Sequence, residues 1–162
     1  MKTPAPRRTP KQSRKVTTPA CILLPTDGTK LSEKAVRHGI ALAKRFGAKV
    51  IVLTVLPMFH MFTTDTQMLT DTPGQFDERM RKQAAKILRP IVLAAKAAGL
   101  ACATVQLGHE HPYQAIIDTA AAKRCDLIVM ASHGRGGAAA IILGSETLKV
   151  LTHSKVPVLV YR

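Results

Sequence analysis

The sequence contains very few aromatic residues: Phe, Trp and Tyr together make up 4% of its 162 residues, and Trp is absent. A chain of this length is expected to form one domain with its own core, which must then be built from aliphatic side chains. Three cysteines without Cys-x-x-Cys spacing cannot form a complete disulfide set. We expect Cys21, Cys102 and Cys125 to be small buried thiols in a reducing compartment.

Long hydrophobic runs and acidic residues are also scarce. No apolar run reaches the roughly 18 residues that a membrane-spanning helix requires, and no secretory apolar segment follows the N-terminus. Only 10 Asp and Glu residues oppose 24 Lys and Arg residues, so the formal net charge is +14. We therefore expect a cytoplasmic protein that does not insert into membranes and that favours anionic partners.

The first 19 residues carry part of this charge. They contain six basic residues, no acid and four prolines. Such a segment cannot bury enough apolar surface to offset its ordering entropy, and we predict a disordered basic arm that an anionic partner could contact. A transit peptide is disfavoured because four prolines interrupt an amphipathic helix. Residues 20–162 form the predicted domain, which has 18 basic residues and 10 acidic ones.

Apolar runs and helical patterns alternate along this domain. Ser32 and Ser145 are the predicted N-caps of the first and last helices, and Pro90 is a predicted kink in the second. The predicted strands are 20–25, 49–56, 100–107, 126–131 and 157–161, and the predicted helices are 31–46, 76–98, 113–124 and 145–153, with loops at 57–75 and 132–144. This order indicates an α/β fold: a five-stranded parallel sheet of order 3-2-1-4-5 with helices on both faces.

In such a sheet, ligands bind outside the carboxyl ends of the strands, where the strand order reverses. That point lies between strands 1 and 4, beside the loops 25–31 and 131–145. The second loop is rich in glycine, which lets backbone N–H groups approach an anion. Ser145 opens a helix, whose N-terminus attracts phosphate, and Thr147 and Arg135 add further donors. The sequence therefore predicts a site for a phosphorylated ligand.

Glu146 conflicts with this prediction, since its charge lies near the proposed phosphates. It must point away from them or hold a metal ion. The phosphate-binding pattern GxxxxGK[ST] does not occur, and GxGxxG is incomplete, so a Rossmann dinucleotide site is rejected. His109-Glu110-His111 suggests a metal site, but no third ligand is evident. We expect His133 to be a loop residue near the ligand and not a general base.

Two segments together resemble a known family. Met130-Ala131-Ser132-His133-Gly134, followed by nine residues and Gly144-Ser145, is similar to the ATP-binding motif of universal stress proteins, which is Gly, two residues, Gly, nine residues, Gly and Ser or Thr. Pro25-Thr26-Asp27-Gly28 resembles the end of the family's first strand, and the resemblance covers about residues 20–162. The departure is Ala131, which stands where the motif has its first glycine.

The resemblance implies an ATP-binding stress-response sensor or switch, with ATP bound with or without Mg²⁺ and hydrolysed slowly at most. It places Asp27 and the backbone near Val55 at the base or ribose, and residues after strand 4 at the phosphates. It also implies a homodimer formed through the last strand. No catalytic residue or protein metal ligand is assigned. The predicted ATP-binding residues are Pro25, Thr26, Asp27, Val55, Met130, Ala131, His133, Gly134, Arg135, Gly144, Ser145, Glu146 and Thr147.

Two alternative functions remain open. The basic arm favours a nucleic-acid-binding protein, although aromatic residues are few and no RNP, KH or zinc-finger pattern is present. Ala131 favours a family member that has lost ATP and acts only as a dimeric interaction module.

Overall fold

The computed structural model describes residues 18–59, 72–134 and 143–162. The strands are β1 (Cys21–Pro25), β2 (Lys49–Leu56), β3 (Cys102–Gly108), β4 (Leu127–Ala131) and β5 (Val158–Tyr161), and the helices are α1 (Lys30–Phe46), α2 (Pro73–Ala97), α3 (Pro112–Ala122) and α4 (Ser145–His153). Among the described residues, no helix is both long and apolar enough to cross a membrane. Most of the predicted basic arm lies outside the described residues.

The five strands form one parallel sheet in the order β3-β2-β1-β4-β5, which confirms the predicted fold. β1 is central and pairs with β2 along its whole length. Its pairing with β4 is shorter, with Ile22 opposite Leu127 and Leu23 opposite Ile128. The strand order therefore reverses at β1, and the loops after β1 and β4 leave the sheet at the same edge.

Alternate side chains of each strand point to opposite faces, so the sheet has a core on each side. On one face, Ile22 and Leu24 of β1 pack beneath α1 and α2. On the other face, Leu23 packs with residues of α3 and α4. α1 lies so close to β1 that a Cβ atom at Gly39 would overlap the Leu24 side chain, so glycine permits this contact.

The helix starts differ from the predicted ones. Thr29, not Ser32, is the N-cap of α1: its hydroxyl accepts a hydrogen bond from the Ser32 N–H, and Ser32 lies buried in the first turn. α2 begins at Pro73, where Thr72 and Gln75 form a capping box, and continues through Pro90. The predicted start of α1 is within one residue of the observed one. Apolar spacing did not reveal the start of α2 because Pro73, Gly74 and Gln75 precede its first large apolar residue. Residues 60–71 of the predicted loop lie outside the described residues.

The cysteines divide into a buried pair and a half-buried residue. The sulfur atoms of Cys21 and Cys125 lie 3.3 Å apart in the core as free thiols. Burial raises the pKa of Cys125 to about 12, and the hydrogen bond with Cys21 adds to this shift. Cys102 lies on the edge strand β3, and partial burial also raises the pKa of its thiol. The expectation of buried thiols is thus correct for the pair and only partly so for Cys102.

Candidate functional site

A cavity of about 590 Å³ opens at the carboxyl ends of β1, β2 and β4. Its volume is within the roughly 300–1,000 Å³ range of small-molecule sites. Arg135, the thirteenth residue predicted to bind ligand, lies outside the described residues. The other twelve all line the cavity: Pro25, Thr26, Asp27, Val55, Met130, Ala131, His133, Gly134, Gly144, Ser145, Glu146 and Thr147.

A tight turn after β1 holds Asp27 at the cavity wall. Asp27 Oδ1 accepts hydrogen bonds from the Thr29 N–H (3.0 Å) and the Thr29 hydroxyl (2.8 Å). The Gly28 N–H donates to Thr26 Oγ1 (3.2 Å), and Gly28 has a φ of 79°, which L side chains rarely adopt. The turn therefore fixes the position of this carboxylate by its own hydrogen bonds.

Two glycines of the loop after β4 lie very close to their neighbours. A Cβ atom at Gly134 would lie 2.7 Å from Asp27 Oδ2. A Cβ atom at Gly144 would lie 3.1 Å from the Cα atom of His133, and the Gly144 N–H donates to the Ser132 carbonyl (2.7 Å). Close packing within the protein thus favours glycine at both positions.

The N-terminus of α4 lies at this cavity without a side-chain cap. Gly144, and not the predicted Ser145, is its N-cap, and the first intrahelical bond runs from the Leu148 N–H to the Gly144 carbonyl. The N–H groups of Ser145, Glu146 and Thr147 therefore have no acceptor within the helix. By contrast, Thr29 caps α1. Among the described helix starts at the cavity, that of α4 is the one open to an anion.

Glu146 points toward α3. Its Oε2 accepts a hydrogen bond from the Tyr113 N–H (2.8 Å), at the start of α3. Its Oε1 accepts one from Lys149 Nζ (2.8 Å), and this hydrogen bond raises the pKa of Lys149. The carboxylate thus serves the first turn of the neighbouring helix. Within residues 18–59, 72–134 and 143–162, no three His, Cys, Asp or Glu residues are grouped to hold a metal ion.

Thr147 and His133 make contacts inside the protein. The Thr147 hydroxyl donates to the Ala131 carbonyl (3.0 Å), and Thr147 is only 3% exposed. This hydroxyl, which the sequence placed at a phosphate, instead ties α4 to the end of β4. His133 Nδ1 lies 3.1 Å from the Ser132 hydroxyl. Ala131 is buried at the cavity wall, and the cavity is open with its methyl group in place.

The sequence analysis missed part of the cavity wall. The β3–α3 loop could have been found from the fold, because β3 ends at the same edge of the sheet as β1 and β4. Five missed residues are apolar or proline residues near the end of β2 and on α3, namely Leu53, Leu56, Pro57, Pro112 and Ile116, and three are polar, namely Ser32, His109 and Glu110.

The fold and this site define a doubly wound α/β protein with a ligand cavity at the reversal of strand order. The model of the Universal stress protein family matches residues 21–162, and the chain belongs to that family. Universal stress protein YxiE of Bacillus subtilis is 30% identical over 145 residues, which cover 87% of this chain and 97% of YxiE. Universal stress protein MJ0531 of Methanocaldococcus jannaschii is 29% identical over 146 residues, covering 87% and 81%.

Solved structures agree in fold. The structure of hypothetical protein MJ0577 has a TM-score of 0.75 and 26% identity, and the match covers 89% of this chain and 96% of that one. A universal stress protein in complex with cAMP matches with a TM-score of 0.64 and 24% identity, covering 90% and 98%. One from Archaeoglobus fulgidus in complex with dAMP matches with a TM-score of 0.63 and 20% identity, covering 90% and 100%.

The contact between Thr147 and Ala131 can be tested by replacing Thr147 with valine and making the same replacement at Thr54 as a control. Thr147→Val leaves a buried carbonyl without this donor and should lower the free energy of unfolding by about 1–3 kcal/mol. Thr54→Val is the matched control: the Thr54 hydroxyl is buried and has no hydrogen-bond partner among the described residues, so its loss should be neutral or stabilising. Urea unfolding measures both. Equal stability of the two variants would contradict the contact.

Proposed function

We propose that the protein binds ATP in this cavity and acts as a nucleotide-dependent sensor or switch in a stress response. The observation that carries the proposal is the uncapped N-terminus of α4. It presents backbone N–H groups at the point of a parallel sheet where ligands usually bind. Ser145 is exposed, and its hydroxyl would add a donor to a phosphate oxygen.

The opposite part of the cavity suits a nucleoside. Val55 and Pro57 provide apolar surface for a base at the end of β2. Asp27 provides a carboxylate that can accept hydrogen bonds from ribose hydroxyl groups. The complexes of two fold relatives with cAMP and dAMP favour adenine as the base, because both ligands are adenine nucleotides. Gly134 and Gly144 would let the loop approach the phosphates closely.

Ala131 is the residue that supports the alternative of an interaction module without ATP. The cavity argues against that alternative, because it keeps its volume of about 590 Å³ with the alanine methyl in place. Hydrolysis is proposed to be slow at most. Fast hydrolysis needs a positioned water and charge stabilisation, and Glu146 is already bound by Tyr113 and Lys149. Any Mg²⁺ would then be held mainly by the phosphates.

The site of action is proposed to be the cytoplasm. Cys21 and Cys125 are free thiols whose sulfur atoms are 3.3 Å apart. Thiols this close would be at risk of oxidation in a secretory compartment, whereas the cytosol keeps them reduced.

Self-association through β5 is also proposed. β5 is an edge strand, and a strand edge offers unpaired backbone groups to a second chain. The side chain of Leu159 in β5 is 41% exposed. A homodimer through β5 would cover it.

Replacing the exposed leucine of β5 tests the homodimer. The unmodified chain should sediment as a dimer at micromolar concentration, and Leu159→Lys should shift it toward monomer because each protomer would bring a charge into the interface. Leu93→Lys, at an exposed leucine of α2, is the matched control and should sediment like the unmodified chain. A monomeric unmodified chain would refute the homodimer.

The ATP site can be tested by calorimetric titration with Mg-ATP. Ser145→Ala removes one donor to a charged phosphate and should weaken binding by about tenfold or more. Thr152→Ala, at the other end of α4, removes a hydroxyl that donates to the Leu148 carbonyl (2.8 Å) and should leave the affinity unchanged.

Adenosine provides the second comparison in the same titration. Because the lost donor would serve a phosphate, Ser145→Ala should leave adenosine binding nearly unchanged. An unmodified chain that binds neither ligand would overturn the proposal and favour the interaction module.

A further inference from the structure

The two helix layers differ strongly in charge. α1 and α2 cover one face of the sheet, and α3 and α4 cover the other. In α1 and α2, eleven Lys and Arg residues stand against three acids, whereas α3 and α4 have one basic residue and two acids. The formal charges of the layers are therefore +8 and −1. The basic residues of the first layer are Lys30, Lys34, Arg37, Lys44, Arg45, Arg79, Arg81, Lys82, Lys86, Arg89 and Lys96.

Most of these residues form a stripe along each helix. With 3.6 residues per turn, five basic residues of α2, from Arg79 to Lys96, lie within about 100° of one another. The α2 stripe is about 26 Å long at 1.5 Å per residue. The five basic residues of α1, from Lys30 to Arg45, fall within a similar angle. We call the surface formed by these two stripes the basic face.

The charges of the basic face are available to a partner. Apart from the half-buried Arg79, whose guanidinium lies 5.3 Å from the centre of the Phe76 ring, its basic residues are exposed. Glu78 and Lys82 form an exposed ion pair (2.7 Å), and such pairs contribute little to stability. Lys86 and Arg89 have no carboxylate partner among the described residues. The face therefore has a large uncompensated positive charge.

We propose that the basic face binds the phosphodiester backbone of a nucleic-acid duplex. The α2 stripe is about 26 Å long. Over that axial length a duplex carries about 15 phosphate charges, so several phosphates can lie along the stripe. Single strands are disfavoured because they usually stack on several aromatic side chains. Of the two Phe residues in α1 and α2, Phe76 is buried, and Phe46 at the end of α1 is exposed. An anionic membrane usually requires several apolar side chains for insertion, and Leu93 is the exposed large apolar residue within the α2 stripe.

This surface differs from the ATP cavity and from the predicted basic arm. The cavity lies at the carboxyl edge of the sheet, whereas the basic face follows the outer sides of two helices. The duplex would contact phosphates without reading base sequence, since positioning contacts carry no sequence information. The proposal thus adds a second partner and does not depend on ATP binding.

The test uses the full chain and a fluorescent 25-base-pair duplex, as DNA and as RNA, with anisotropy measured at several salt concentrations. Lys86→Glu combined with Arg89→Glu should weaken binding at least tenfold and reduce the slope of log affinity against log salt by about 2. The matched control is Lys123→Glu combined with Lys155→Glu. It makes the same change in net charge at exposed residues outside the basic face and should bind within about twofold of the unmodified chain.

A second pair, Lys34→Glu with Arg37→Glu, carries the same test to α1 and covers the case in which the α2 variant fails to fold. Circular dichroism checks folding of each variant. Three results would overturn the proposal: equal loss in the face variants and the control, no duplex binding by the unmodified chain at low salt, or binding to phosphatidylserine vesicles but not to the duplex. Unchanged face variants together with loss of binding on deletion of residues 1–19 would also overturn it.

Discussion

The position of β1 at the centre of the parallel sheet is the constraint on which the other features depend. Asp126 anchors it: Oδ2 accepts hydrogen bonds from the N–H groups of Ala20 (2.8 Å) and Cys21 (2.9 Å), and its own N–H donates to the Cys21 carbonyl (2.8 Å). These contacts set the register of β1 against β4. The chain then leaves β1 toward the α1 side of the sheet and leaves β4 toward the opposite side. The two loops diverge, and the cavity lies between them.

The chemistry of the cavity depends on which groups accept hydrogen bonds from the free N–H groups at the start of each helix. Thr29 caps α1, and Glu146 accepts from the first turn of α3. The start of α4 has no side-chain cap, and the Thr147 hydroxyl holds it against the Ala131 carbonyl. An anion bound there would be stabilised by N–H groups that are already oriented, at little ordering cost. The charge of Glu146 conflicts with phosphate binding in the sequence, but in the structure its carboxylate binds the Tyr113 N–H and connects α4 to α3.

Much of this arrangement could be predicted from the sequence. Uninterrupted apolar runs such as 49–56 indicate buried parallel strands, and their alternation with helical spacing gives the topology. The spacing from Gly134 to Gly144 located the second loop. The sequence could not show that Glu146 would meet Tyr113, because 33 residues separate them and only the packing of α3 against α4 brings them together. The basic residues of α2 alone are typical of a solvated helix face. Only the fold shows that α2 shares one face of the sheet with the basic helix α1.

The most direct measurement is the nucleotide content of the protein itself. The purified chain, before and after incubation with Mg-ATP and removal of free ligand, would be denatured and the released molecules identified by chromatography and mass spectrometry. With no Trp and two Tyr, the protein absorbs little near 280 nm, so a bound nucleotide would be conspicuous. An ATP site at the start of α4 predicts ATP or ADP in near-stoichiometric amount after incubation. A chain that releases no nucleotide even after incubation would contradict it.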